Sequence, residues 1–286
     1  MGCTFGQVVL GRVAVLAVLA AVLAPPAVAA TQAQKDAAAA TRGINQALIA
    51  GRLDAGQAGQ YRASVTRALA TWNRLPGDRA KNLAGALHDA AALADRYDAP
   101  RALTLFSTLE LNEDQLALHP LPKARTDVRD ADGVVYRYFP GHGFEFHPLG
   151  NFAALNAAVA SKNVAAAGRL ATALAARGVP ESGGGTGFEY YFDYGGGRAP
   201  WTSGFAQAVA AQALARAAAL DTTDSATLRA ATTVLSFTRN QADTADRSDE
   251  PTHSDLDVID NFVDRELRRR AANSSSKSDC NTDIKG

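Results

Sequence analysis

Residues 54–75 read DAGQAGQYRASVTRALATWNRL, and the placing of their large side chains decides the fold class. Tyr61, Val65, Leu69 and Trp72 step by four, four and three residues, which lines one face of an α-helix and matches no two-residue strand period. Pro76-Gly77-Asp78 then breaks the chain. Working outward, Gln32–Ala50 has the same helical spacing and stops at Gly51, and Arg79–Arg96 supplies a third helix. Pro100 opens a fourth, PRALTLFSTLELNEDQLALH, in the first turn, where its missing N–H has no partner to lose. Links this short predict antiparallel neighbours. His88 and His119 have no acid or second histidine at metal-ligand spacing and read as surface or interface residues.

The whole chain has 286 residues, 47% of them hydrophobic, enough for one large domain or two smaller ones. Lys plus Arg equals Asp plus Glu at 29 each, so net charge gives no reason to expect nucleic acid or an anionic membrane surface as a partner. Near the start, Arg12 precedes VAVLAVLAAVLA, which ends at Pro25-Pro26 and is followed by Ala27-Val28-Ala29-Ala30. The run falls short of the roughly 20 residues of a spanning helix, and the small residues suit a signal peptidase. Residues 1–30 are therefore expected to be a cleaved signal and the mature protein to be secreted, with no membrane attachment; the long n-region keeps an uncleaved anchor as the alternative. Cys3 would leave with the signal and Cys280 would remain alone, so no internal disulfide is expected.

The period changes at residue 127. In DGVVYRYFPGHGFEFHPLGNF, Val135, Arg137 and Phe139 alternate with Val134, Tyr136 and Tyr138 before Pro140-Gly141-His142-Gly143, which predicts a β-hairpin. Asn151–Ala160 and Asn163–Arg177 resume alanine-rich helix. Then GFEYYFDYGGGRAPWTSGFAQ, residues 187–207, packs two carboxylates and five rings into seven positions ahead of a helix that Thr202 or Ser203 can cap. If Phe188–Tyr194 is extended, Glu189, Tyr191 and Asp193 share one face and Phe188, Tyr190, Phe192 and Tyr194 the other. Rings beside fixed acceptors suit a sugar, whose C–H faces pack on aromatics while its hydroxyls need partners. A strand edge packing its rings into the core fits the same composition.

The hairpin YRYFPGHGFE, two helices, then FEYYFDY and APWTSGFAQA opening a further helix resemble the C-terminal domain of D-glucuronyl C5-epimerases, from about Tyr136 to about Thr232. The resemblance places Pro200, Trp201, Ser203 and Gln207 at the family's helix start, with Phe188 and Tyr191 to Tyr194 in its aromatic strand segment. It implies a mainly α fold, a partial α/α toroid of helical hairpins with a small β-hairpin insertion. The reaction implied is inversion at C5 of glucuronic acid within a uronic-acid-containing polysaccharide, without cofactor or metal. Such a reaction needs a base to take the C5 proton and an acid to return it on the other face. Tyr191 and Glu189 are the candidate proton-transfer groups. Tyr138, His147, Tyr190, Asp193, Tyr194, Arg198, Trp201, Ser203 and Gln207 are the candidate substrate contacts, with Arg137 and Arg198 as nearby cations.

The chain departs from the family after Thr232, where it contains no tyrosine and only Glu250 and Glu266 as glutamates. The expectation is a helical region over 31–126, the epimerase-like region over 127–238 and a polar tail over 239–286, with catalysis incomplete. A non-catalytic glycan-binding or structural helical remnant, or a polysaccharide lyase, are the alternatives. His142, Glu145 and His147 do not form a metal set in an extended run, since only Glu145 and His147 share a face. Arg268-Arg269-Arg270 reads as a solvated helix end, and the two Gly-Gly-Gly runs as turns.

Overall fold

The helical spacing of residues 54–75 appears in the fold as the second of eight helices among the described residues. A computed structural model describes residues 30–182, 184–221 and 225–244. The expected signal peptide and most of the expected polar tail lie outside the described residues. Four helices come first: α1 (Gln32–Ile49), α2 (Ala55–Trp72), α3 (Gly77–Ala92) and α4 (Ala99–Leu118). Thr31 and Asp54 start α1 and α2 with reciprocal caps, each accepting a backbone N–H while Gln34 or Gln57 reaches back. Each cap is worth about 1 kcal/mol. Tyr61 stacks on Phe106 of α4 at 4.6 Å, with Val65 and Ala68 buried beside it. Helix α1 packs on α2 and α3, and α4 packs on α2 and α3.

A three-stranded antiparallel sheet follows, ordered β1 (Asp127–Arg129), β2 (Val135–Phe139), β3 (Gly143–Phe146). The predicted hairpin is β2–β3, with Tyr138 opposite Phe144 and Arg137 opposite Glu145; β1 is an addition to it. Helices α5 (Pro148–Ala160), α6 (Val164–Ala175), α7 (Gly204–Leu220) and α8 (Ser225–Thr244) form the second helical set, with short strands β4 (Val179–Pro180) and β5 (Thr186–Gly187) between α6 and α7. Within each set, helices two apart in sequence lie side by side: α1 with α3, α2 with α4, α5 with α7 and α6 with α8. The molecule is thus mainly α with a small antiparallel sheet. Strand β3 packs on α3 and α4, and β2 packs on α5, so the sheet joins the two sets.

Three buried side-chain amides fasten the non-helical backbone to the helices. Asn112 of α4 accepts Phe144 N–H at 2.8 Å and donates to Phe144 O at 2.6 Å. Asn151 of α5 does the same to Val135 at 2.7 and 2.8 Å. Gln207 of α7 does it to Phe188 at 2.9 and 2.8 Å. Each satisfies one donor and one acceptor that would otherwise be buried unpaired.

Helix α8 runs through Thr232, the point at which the resemblance stops and no helix was expected. Leu228, Ala231, Val234 and Leu235 are buried on one of its faces, against α7 and α6. Their spacing was present in the sequence but the neighbouring threonines and charges masked it.

Candidate functional site

Residues 188–201 form a loop held by two isolated bridges, not the regular strand expected. Tyr190 and Trp201 exchange backbone hydrogen bonds at 2.8 and 3.1 Å, and Tyr194 and Gly197 exchange them at 3.1 and 2.9 Å. Asp193 is exposed and accepts Ala199 N–H at 2.8 Å, closing the glycine turn. Ser203 caps α7 through Ala206 N–H.

The expected open acidic face is corrected by this packing. Glu189 is buried and takes both ends of the Arg101 guanidinium from α4, at 2.8 and 2.8 Å. Asp98 adds a second carboxylate at 2.6 Å, so Arg101 is held even more firmly in its charged form. Tyr191 is buried next to this pair, its hydroxyl without a hydrogen-bond partner among the described residues. Burial and the Glu189 charge push its pKa well above the usual phenol value. Gln207 is spent on Phe188, and Tyr138 lies in the core against Phe144 at 5.3 Å. Glu189, Tyr191 and Gln207 support the loop from inside.

The other rings gather separately. Tyr190, Phe192 and Ala206, with Phe139, Leu149 and Trp201, form an apolar cluster apart from the main core. Tyr190 and Trp201 stack at 4.1 Å and 8°. Phe139 lies 4.6 Å from Phe192, 5.3 Å from Tyr194 and 6.2 Å from His147. Trp201 and Phe139 are half-buried, and Tyr194 is 46% exposed. Phe205, in the first turn of α7, is 60% exposed. Arg125 reaches the Tyr194 hydroxyl at 3.5 Å, and Arg137, paired with Asp127 at 2.7 Å, lies 3.5 Å from His147 Nε2. Arg198 is exposed in the same loop. His147 accepts Gly150 N–H through Nδ1 at the start of α5, and burial together with Arg137 lowers its pKa to about 4, so it is neutral.

Of the expected site residues, His147, Asp193, Tyr194, Arg198 and Trp201 therefore belong to one loop-and-hairpin face, with Tyr190 buried beneath Trp201, while Glu189, Tyr191, Gln207 and Tyr138 point inward and Ser203 is a cap. Sequence reasoning missed Phe139 and Arg125 as members of this face and Arg101 as the partner of Glu189. Alternation along the hairpin put Phe139 opposite Tyr138 and so was a usable signal; Arg101, 88 residues from Glu189, had none.

A cavity of about 710 Å³ opens elsewhere, between α4 and α6. On its wall Asp130 accepts the Tyr136 hydroxyl at 3.2 Å and lies 3.9 Å from buried Arg177. Among the described residues, no three histidine, cysteine or acidic side chains could hold a metal ion. No protein-family model, curated protein or solved structure matches the chain.

Proposed function

We propose that this chain is a secreted protein that binds uronic-acid-containing polysaccharide on the face built by Phe139, His147, Tyr190, Tyr194 and Trp201, and that it is related to the glucuronyl C5-epimerases it resembles. The observation that carries the reading is a ring cluster outside the main core in which half-buried Phe139 and Trp201 and exposed Tyr194 overlie buried Tyr190 and Phe192, edged by arginines. Sugar C–H faces pack on open rings, and uronate carboxylates pair with arginines. Glu189 and Tyr191 hold this face from behind. In that position neither meets a ligand, which favours glycan binding over the inversion that the resemblance attached to those two residues.

The test is titration with glucuronate oligosaccharides. Removing a stacking ring costs on the order of 1–3 kcal/mol, so Trp201→Ala weakens binding about tenfold or more. Trp201 also anchors the loop through its Nε1 bond to Phe192 O at 2.9 Å, so Tyr194→Ala, which removes an exposed ring, serves as the second variant and weakens binding in the same direction. Unchanged affinity in both variants overturns the reading.

A further inference from the structure

The cavity between α4 and α6 holds a buried cation that lacks acceptors. Leu103, Ser107, Glu110, Leu111 and Asp114 face it from one stripe of α4, the β1–β2 turn contributes Asp130 and Asp132, and Arg177 enters from just beyond the end of α6. The Arg177 side chain is only 6% exposed. Its Nη1 donates to Ala173 O at 2.7 Å, but Nη2 has only Ser107 Oγ at 3.5 Å and Asp130 Oδ2 at 3.9 Å, and Nε has no partner among the described residues. A guanidinium has five N–H donors and keeps its charge when buried, so this one is short of an acceptor. Asp130 is not free to supply it. Its Oδ1 accepts the Asp132 and Val134 N–H groups at 3.0 and 2.9 Å, and its Oδ2 takes the Tyr136 hydroxyl.

The rest of the wall has the opposite charge. Glu110 is met from α2 by Arg67 at 3.1 Å and by the Ser64 hydroxyl. Asp114 and Asp132 are exposed, and their carboxylates have no partner among the described residues. Counting exposed Arg169, the wall carries four carboxylates and two guanidinium groups, an excess of negative charge that disfavours a simple anion. On the α6 side Gly168 leaves the cavity open, since nothing lies within 4 Å of the place its Cβ would take. Glycine is a poor residue for a helix interior, and here it keeps clear the space a side chain would fill. The volume of about 710 Å³ suits a molecule of several residues.

We propose that this cavity is a second binding site, which takes a short basic peptide with its C-terminal carboxylate on Arg177 and its cationic side chains toward Asp114 and Asp132. The carboxylate supplies the acceptor that Arg177 lacks. The ammonium groups answer the unpaired acids, and their methylene stems lie along Leu103, Leu111 and Ala173. The site shares no residue with the ring face and does not depend on the glycan reading.

Titration calorimetry with trilysine tests this, beside trilysine amide, which keeps every amine and loses the carboxylate, and free L-lysine. Trilysine is expected to bind, and the amide about tenfold or more weakly than it, the loss of one charge-assisted contact. In Arg177→Met, trilysine falls to the level of the amide and the two ligands no longer differ, which shows that carboxylate and guanidinium meet each other. Should that variant unfold, Gly168→Leu carries the test: its side chain starts in open space, the urea midpoint holds or rises, and trilysine binding is lost. Asp114→Asn combined with Asp132→Asn weakens trilysine and its amide alike. Equal affinity of the wild type for trilysine and its amide, binding that survives Gly168→Leu in folded protein, or no binding of trilysine overturns the site. Free L-lysine binding as tightly as trilysine overturns the peptide form. None of these outcomes bears on titration of the ring face with glucuronate oligosaccharides.

Discussion

Glu189 and Arg101 are separated by 88 positions in the chain and by 2.8 Å in the molecule. A carboxylate this deeply buried is tolerable because two guanidinium N–H groups meet it, and the pair is costly to break from either side. Glu189→Ala leaves Arg101 with only Asp98 and is expected to destabilise the fold by about 3 kcal/mol or more, read as a lowered urea midpoint. A loss below about 1 kcal/mol would show that solvent already reaches the pair. The same residue marks the limit of what was legible beforehand. An acid among rings has the same composition whether it faces a ligand or an arginine, and nothing local names the arginine. Gln207 misleads for a similar reason, since an amide that could bind a sugar hydroxyl serves a backbone N–H and C=O equally well. Trp201 and Tyr194 were readable because proline and glycine on either side keep their loop at the surface.

The β2–β3 hairpin concentrates the unusual protonation chemistry of the fold. Burial pushes the Glu145 carboxyl well above its ordinary 4.5, and burial also raises Asp89 despite its bond to His142. Asp89 raises His142 above 6.5. All three groups hold protons more tightly folded than unfolded, so stability falls as pH rises from about 3.8, the ordinary value of an aspartate such as Asp89, through their folded values. Thermal melts across that range are expected to show the decline in wild type, a shallower one in Glu145→Gln, and in His142→Gln a loss of the part beginning above about 6.5. A Glu145→Gln profile parallel to wild type would mean that water reaches the carboxyl. The element depends equally on Gly143, whose φ of +90° suits glycine and whose added Cβ would overlap Asn112 Oδ1. Gly143→Ala is expected to cost more than 2 kcal/mol, since strain and loss of the Asn112 clamp act together, and the urea midpoint checks it. Alternation in the sequence located this hairpin; that its tip would stand over α3 was not legible, because Asp89 and Gly85 read as ordinary positions of an alanine-rich helix.

Over the whole molecule, the helices legible from spacing, caps and prolines begin and end within a few residues of where they were expected, and α8 is the omission. What spacing does not convey is how the two helical sets are joined. They meet through the sheet, with Asn112 on β3 and Asn151 on β2, and through the Arg101–Glu189 pair, and from Thr31 onward the described residues form one compact unit. Each set carries one tryptophan, Trp72 in α2 and Trp201 before α7, so each reports its own unfolding. With Trp72→Phe and Trp201→Phe as single-reporter backgrounds, the two fluorescence transitions in urea are expected to coincide. Adding Asn112→Ala and Arg101→Ala removes two of these ties, a buried amide clamp worth about 1–3 kcal/mol and a buried ion pair worth about 3–5 kcal/mol when broken. The transitions are then expected to separate, with Trp201 reporting at lower urea. The second set packs mainly through alanines, whose small side chains bury less apolar area, while the first has the Tyr61–Phe106 stack and two reciprocal caps. If both midpoints fall together and stay coincident, the cooperativity runs through helix contacts and not through the clamps.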